Sequence, residues 1–315
     1  MAISRNIKPD RGLTYRMLLT GFFFVVLYAA FIGVLFALLH SLVLILIIGF
    51  GLLFSQYWFS AKIAMYSMHA KEVTPEQAPQ LHGVVDRLCA LADMPKPKVA
   101  IATTDMPNAF ATGRSPKAAV VCVTTGLLRR LDEPEVEAVL SHEISHVAHR
   151  DVAVMTIASG LGMLAGLLTR VMFYAGLFGG GGGRNNNSGG QLVLIEMIVM
   201  LVSIVVYFIS FLLTMALSRY RELAADRSGA LLIGRPSLLA SALVKITGDM
   251  GRIPTKDLRA AEPFNAFFFT PAVATGTAQG SGGGFSFGNL FRTHPTLERR
   301  LAQLDSLERQ LGQAS

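Results

Sequence analysis

The chain has 315 residues, of which 52% are hydrophobic and only 16% charged, with 28 basic against 21 acidic side chains and a formal charge of +7. A soluble domain of this size usually carries about 25% charge, so the composition excludes a purely soluble protein and equally excludes a disordered one. Two cysteines, Cys89 and Cys122, are too few for a disulfide-built secreted scaffold and fit a reducing compartment.

The apolar residues are concentrated. From Met17 to Ala61 there is no charged side chain, roughly twice the length that one membrane crossing needs. His40–Ser41 marks a turn, so Met17–Leu39 and Leu42–Phe59 read as a helical hairpin through a lipid bilayer. The run is too long for a cleavable signal peptide. Arg5, Lys8, Arg11 and Arg16 precede it with only Asp10 against them, which puts the N-terminus on the cytoplasmic side.

Residues 62–151 have ordinary soluble composition. Leu81, Val84, Val85, Leu88 and Leu91 recur at helical spacing over Pro79–Leu91. Lys98–Thr103 and Ala118–Thr124 read as strands, with the short segment Asn108–Gly113 between them and a turn at Ser115–Pro116. Asp132 is placed to cap a helix with Pro134 in its first turn, running to about His149.

Two further apolar stretches follow. Val152–Thr169 is uncharged and rich in small residues, among them Gly160, Gly162 and Gly166; Gln191–Leu217 contains one charge, Glu196. Read as a second membrane hairpin they bring the total to four spans; read as buried core helices they leave two. The loop between them, 179–190, is Gly- and Asn-rich. A second soluble block, 218–315, contains a Gly/Ser/Thr-rich stretch at 274–288 and a terminal helix over Pro295–Leu311.

The positive charge belongs to membrane orientation, since no basic stripe on a recognisable nucleic-acid module is present. A transporter would place ionisable groups within the spans, and only Glu196, near a helix end, qualifies. A membrane-anchored adaptor or chaperone for unfolded proteins is the alternative reading, carried by Phe264, Phe267, Phe268 and Phe269.

The strongest chemical signal is His142-Glu143-Ile144-Ser145-His146. On a helix, positions i and i+4 share a face, so both imidazoles can reach one metal ion while Glu143 stands beside them as a base. A catalytic zinc normally has three protein ligands. A third histidine six residues beyond His146 is absent, because that position is Val152, and His149 reads as a solvated or packing side chain. Glu222 and Asp226, four apart in Arg221-Glu222-Leu223-Ala224-Ala225-Asp226, also share a helix face. One of these carboxylates can bind the metal while the other holds a ligand imidazole by its second nitrogen.

These motifs together, with the N-terminal hairpin, Asn108-Ala109-Phe110-Ala111-Thr112-Gly113 and Thr125-Gly126-Leu127-Leu128, resemble the HtpX family of bacterial membrane zinc metalloproteases, relatives of the CaaX prenyl proteases. The resemblance covers nearly the whole chain. It implies a mainly α membrane protein with a zincin-type α+β metalloprotease domain carrying a small β-sheet. It implies one Zn2+ per chain on His142, His146 and Glu222, with Glu143 catalytic and Asp226 behind the ligands. It further implies an inner-membrane location, an ATP-independent reaction with no nucleotide or nucleic acid, and polypeptide substrates drawn from misfolded or damaged membrane proteins on the cytoplasmic side. By the same resemblance Asn108, Ala109, Phe110 and Ala111 lie beside the active site, where an edge strand can align a substrate backbone. His294, in a late His-Pro element, is a candidate donor to the oxyanion. Tyr220, Leu223 and the 274–288 loop depart from the family pattern.

Overall fold

The computed structural model describes residues 10–38, 42–178, 189–250 and 292–314. The Phe264–Phe269 cluster, the 274–288 stretch and nearly all of the 179–190 loop lie outside the described residues. The chain forms two compact units. One comprises Thr14–Gln56 with Val154–Leu217, and the other comprises Tyr57–Ala153 with Ser218–Ser315 and the N-terminal residues up to Leu13.

The first unit is helical. It contains α1 (Arg11–Leu38), the apolar part of α2 (Leu42–Ser67), most of α6 (Asp151–Phe178) and the first half of α7 (Gly189–Ile233). Phe31 and Leu35 of α1 pack with Leu161, Ala165 and Leu168 of α6 and Val199 and Val206 of α7. The Tyr28 hydroxyl donates to the Ile157 carbonyl at 2.7 Å. Outside this core, Phe22, Phe23, Leu201 and Phe208 are exposed, the arrangement that a lipid-facing surface requires. Among the described residues, three helices are long and apolar enough to cross a membrane: Arg11–Leu38, Asp151–Tyr174 and Val193–Ile233. The protein is therefore a multi-pass membrane protein.

The second unit is built on a four-stranded sheet: β1 (Ala70–Glu72), β2 (Lys98–Ala102), β3 (Ala109–Thr112) and β4 (Val120–Thr124). The strand order is β1-β2-β4-β3, with β2 parallel to β4 and the two outer pairs antiparallel. The β-branched runs of β2 and β4 supply its centre, and every residue of β4 is buried. The Asn108–Gly113 segment thus becomes an edge strand, in register with β4 from Ala109 opposite Val123 to Thr112 opposite Val120. Its entry is fixed by Asn108, fully buried, whose N–H donates to Thr124 Oγ1 at 2.9 Å. The same hydroxyl accepts from Leu127 N–H and so caps α4 (Thr125–Arg130).

Helices cover this sheet as their sequences predict. α3 (Pro79–Ala92) starts on its proline and ends at Asp93 in the left-handed region. α5 (Glu133–Ala148) begins after Asp132, whose N–H is accepted by the Glu135 carboxylate at 3.0 Å. Glu135 also takes Lys245 Nζ at 2.8 Å and the Ser241 hydroxyl at 2.7 Å, both from α8 (Pro236–Met250). Val85, Leu88, Val123, Val139, Leu140, Leu243 and Ile246 form one core with Leu304 and Leu307 of α9 (Leu297–Ala314). The last helix begins at Leu297, two residues later than the proline start suggests.

Both cysteines are free and buried. Burial pushes the Cys122 thiol up to about 12 and the Cys89 thiol to about 11. The thiolate is the reactive form, so neither residue should react with a disulfide reagent at pH 8 in the folded protein, whereas unfolding should release both. Rapid titration of either thiol in the native state would contradict this packing.

Candidate metal centre

The site is assembled where α5 and α7 cross. Glu222, Asp226 and Gly229 lie on one face of α7 at helical spacing, and Gly229 is the point of contact. A Cβ there would sit 2.7 Å from the backbone nitrogen of His142 and 2.8 Å from its Cα. The Ser141 hydroxyl donates to the Gly229 carbonyl at 3.1 Å across the same crossing. This backbone approach lets a short carboxylate on one helix meet two imidazoles on the other.

His142 Nε2 and His146 Nε2 are 3.1 Å apart. Glu222 Oε2 lies 3.7 Å from the first and Glu222 Oε1 3.5 Å from the second. A tetrahedral ion bound at about 2.0–2.1 Å separates its ligand atoms by about 3.3 Å, so the three side chains fit one metal ion. The other nitrogen of each ring faces a carboxylate: His142 Nδ1 is 2.9 Å from Asp226 Oδ1, and His146 Nδ1 is 2.5 Å from Asp151 Oδ2. Both rings are thereby held with Nε2 directed toward the Glu222 carboxylate.

Electrostatics agree. Burial disfavours the charged form of His142, yet Asp226 and Glu222 outweigh it and raise the group to about 9. A field that holds a proton so strongly favours any cation at that position. Glu222 is held well below the carboxylate range, because His294, His142 and His146 outweigh its burial. Glu143 behaves in the opposite way. Burial raises it, against the opposing pull of the two histidines and a hydrogen bond from the Ala111 N–H. That bond ties the edge strand β3 directly to the carboxylate of the His142–His146 motif.

The structure brings His294 into the cluster: its buried Nδ1 lies 3.4 Å from Glu222 Oε2. His149 is exposed at the end of α5, 3.4 Å from the Ser228 hydroxyl, and takes no place in the cluster. Asn108, at the entry to β3, and Ala109 and Phe110 within it are buried beside Ala111.

Two residues that sequence reasoning missed complete the site. Asp151, at the start of α6, orients His146 and is paired with Arg221 Nη2 at 2.6 Å. Arg300 of α9 is buried and grips Asp226 with two bonds, Nε to Oδ2 at 2.7 Å and Nη2 to Oδ1 at 2.6 Å. The available signals were weak: Asp151 lies five residues after His146, and Arg300 is one of several charges on an amphipathic helix.

A paired-histidine helix crossed by a carboxylate helix beside a sheet edge, on a chain with membrane-crossing helices, defines a membrane-embedded metal-dependent protease. The comparisons narrow this class. The model of peptidase family M48 matches residues 75–308. "Protease HtpX homolog 1" of Streptomyces coelicolor is 56% identical over 98% of this chain and 97% of its own length. The HtpX homolog of Moorella thermoacetica is 51% identical over 98% of each chain. "Protease HtpX homolog 2" of Methanosarcina mazei is 46% identical over 98% of this chain and 100% of its own. The crystal structure of S. mikatae Ste24p shares the fold with a TM-score of 0.55 at 17% identity, covering 89% of this chain and 62% of that one. The chain belongs to the HtpX group of peptidase family M48 and is a metalloendopeptidase.

Arg300 is the centre's structural bolt. Burial alone would raise Asp226, but Arg300 outweighs it and holds the carboxyl below its usual value. Asp226 therefore contributes its full stability above about pH 4, the unfolded carboxylate value, and loses it as pH falls through the lowered one. Arg300→Met removes the buried guanidinium that faces the Asp226 carboxylate and should cost about 3–5 kcal/mol in chemical unfolding, with part recovered in the Asp226→Asn, Arg300→Met double variant. An unchanged unfolding midpoint for the single variant would contradict the pairing.

Proposed function

We propose that the chain is a zinc endopeptidase, one Zn2+ per chain, that cleaves misfolded or damaged membrane proteins on the cytoplasmic face of a bacterial inner membrane. The observation that carries this reading is the convergence of His142 Nε2, His146 Nε2 and the Glu222 carboxylate within one coordination sphere.

His142, His146 and Glu222 would hold the zinc, which would supply a Lewis acid for water and for a scissile carbonyl. The chain's own groups do the rest. Glu143, whose carboxyl is raised from its usual value by burial, takes a proton from the attacking water and returns it to the leaving amine. Asp226 and Asp151 hold the two imidazoles in orientation. The edge strand β3, with Asn108 at its entry and Ala109, Phe110 and Ala111 in it, offers main-chain groups that align a substrate in extended form. His294, beside Glu222, donates toward the oxyanion as the carbonyl becomes tetrahedral.

The membrane arrangement follows from charge and length. The basic N-terminus stays in the cytoplasm, α1 and α2 form the first hairpin, and α6 with the first half of α7 forms the second. Four spans return every soluble segment to the cytoplasmic side. The continuity of α7, from its apolar half into Glu222, supports this reading.

The test pairs wild type with Glu143→Gln, each purified without chelator and offered an unfolded membrane protein. Both should carry one zinc per chain, while the variant should cleave about 10²–10⁴-fold more slowly. Full proteolysis by the zinc-loaded variant would remove Glu143 from its role, and near-zero zinc after reconstitution would overturn the metal site.

A further inference from the structure

The turn that leaves the edge strand β3 is fastened to α2. Gly113 has φ +130°, and a Cβ there would lie 2.6 Å from the Ala118 carbonyl oxygen. Only glycine suits this turn, and it delivers Arg114 to the helix. The Tyr57 hydroxyl donates to the Arg114 carbonyl at 2.7 Å, and the Arg114 guanidinium stacks 3.9 Å from the Trp58 ring centroid. One turn further on, Lys62 Nζ stands 5.8 Å from the Phe59 ring. Trp58 and Lys62 are four residues apart and share a helix face.

This cluster has the chemistry of a bilayer boundary. Trp58 is 45% exposed, Phe59 43% and Tyr66 85%. Neither Arg114 nor Lys62 is paired with a carboxylate among the described residues, so each keeps its charge for an external anion. A rise of about 1.5 Å per residue sets Trp58 about 24 Å along α2 from Leu42, close to the thickness of a hydrocarbon core. Amphipathic aromatic rings collect at that level, and basic side chains there meet anionic lipid phosphates.

We propose that Tyr57, Trp58, Lys62 and Arg114 form a binding site for an anionic phospholipid headgroup, which fixes the exit of β3 at the membrane surface. The headgroup phosphate bridges the guanidinium and the ammonium. The edge strand is thus presented where a polypeptide emerges from the bilayer. The inference rests on α2 being the returning span.

Trp58 is the only tryptophan in the chain, so its fluorescence reports on this site alone. The full-length protein is reconstituted in phosphatidylcholine vesicles containing a minor fraction of brominated lipid. Bromines near the carbonyl end of the acyl chain should quench Trp58 more than bromines near the terminal methyl. Brominated phosphatidylglycerol should quench it as though enriched about fivefold over its mole fraction, the equivalent of about 1 kcal/mol for one cation, and brominated phosphatidylcholine should not. Arg114→Gln with Lys62→Gln should abolish the enrichment. Arg114→Lys, which keeps the charge, should retain most of it, and circular dichroism confirms that each variant is folded. Equal quenching by the two lipids in wild type, or enrichment that survives the double variant, would overturn the headgroup site. Quenching by aqueous iodide alone would overturn the returning span as well.

Discussion

The missing side chain of Gly229 is the constraint on which the rest depends. A glutamate carboxylate and two imidazoles can share one ion only if their parent helices approach closely, and α7 comes near enough to place its backbone against that of His142. The Ser141 hydroxyl on the Gly229 carbonyl closes the same contact from the other helix. Given that crossing, helical geometry does the remaining placement. His142 and His146 project together from α5, and Glu222 and Asp226 from α7, one toward the two Nε2 atoms and one to the far side of the His142 ring.

The surrounding charges hold this geometry. Asp226 serves two masters, His142 Nδ1 and Arg300, and so couples the terminal helix to the His142 ring. Asp151 does the equivalent for His146 while paired to Arg221 of α7. Buried ion pairs of this kind add little net stability against well-packed apolar residues, because desolvation offsets attraction. Their value here is orientation. Each imidazole has one nitrogen committed to an aspartate and the other directed toward Glu222. Glu143 stands apart from these pairs, joined to β3 through the Ala111 N–H, so its carboxylate and the strand beside it are held in one arrangement.

Much of this was legible in the sequence. The five-residue spacing of His142–Glu143–His146 encodes a shared helix face, and so does the four-residue step from Glu222 to Asp226. Strands β2 and β4 announce themselves through β-branched runs. The partnership between the two helices is tertiary, and its marker, a glycine seven residues after Glu222, resembles any other helical glycine until its neighbour is seen. Arg300 and Asp151 escaped for the same reason, since their partners lie 74 and five residues away and no local pattern marks them. The position of β3 at the sheet edge depends on β4 inserting beside β2, a crossover that strand propensities do not specify. The unbroken passage of α7 from an apolar segment into Glu222 was likewise hidden by the change in composition at Ser218, although a helix tolerates such a change without interruption.

The central claim is that close approach at Gly229 creates the metal site. Its most direct test is the zinc affinity of Gly229→Ala beside wild type, measured by competition with a chromophoric chelator in the same detergent. Overpacking of this kind costs about 1–3 kcal/mol, so zinc affinity should fall about 5- to 150-fold while far-UV circular dichroism stays helical. Wild-type zinc affinity in the alanine variant would contradict the claim, because the ligands would then converge without the contact that this account makes responsible for them.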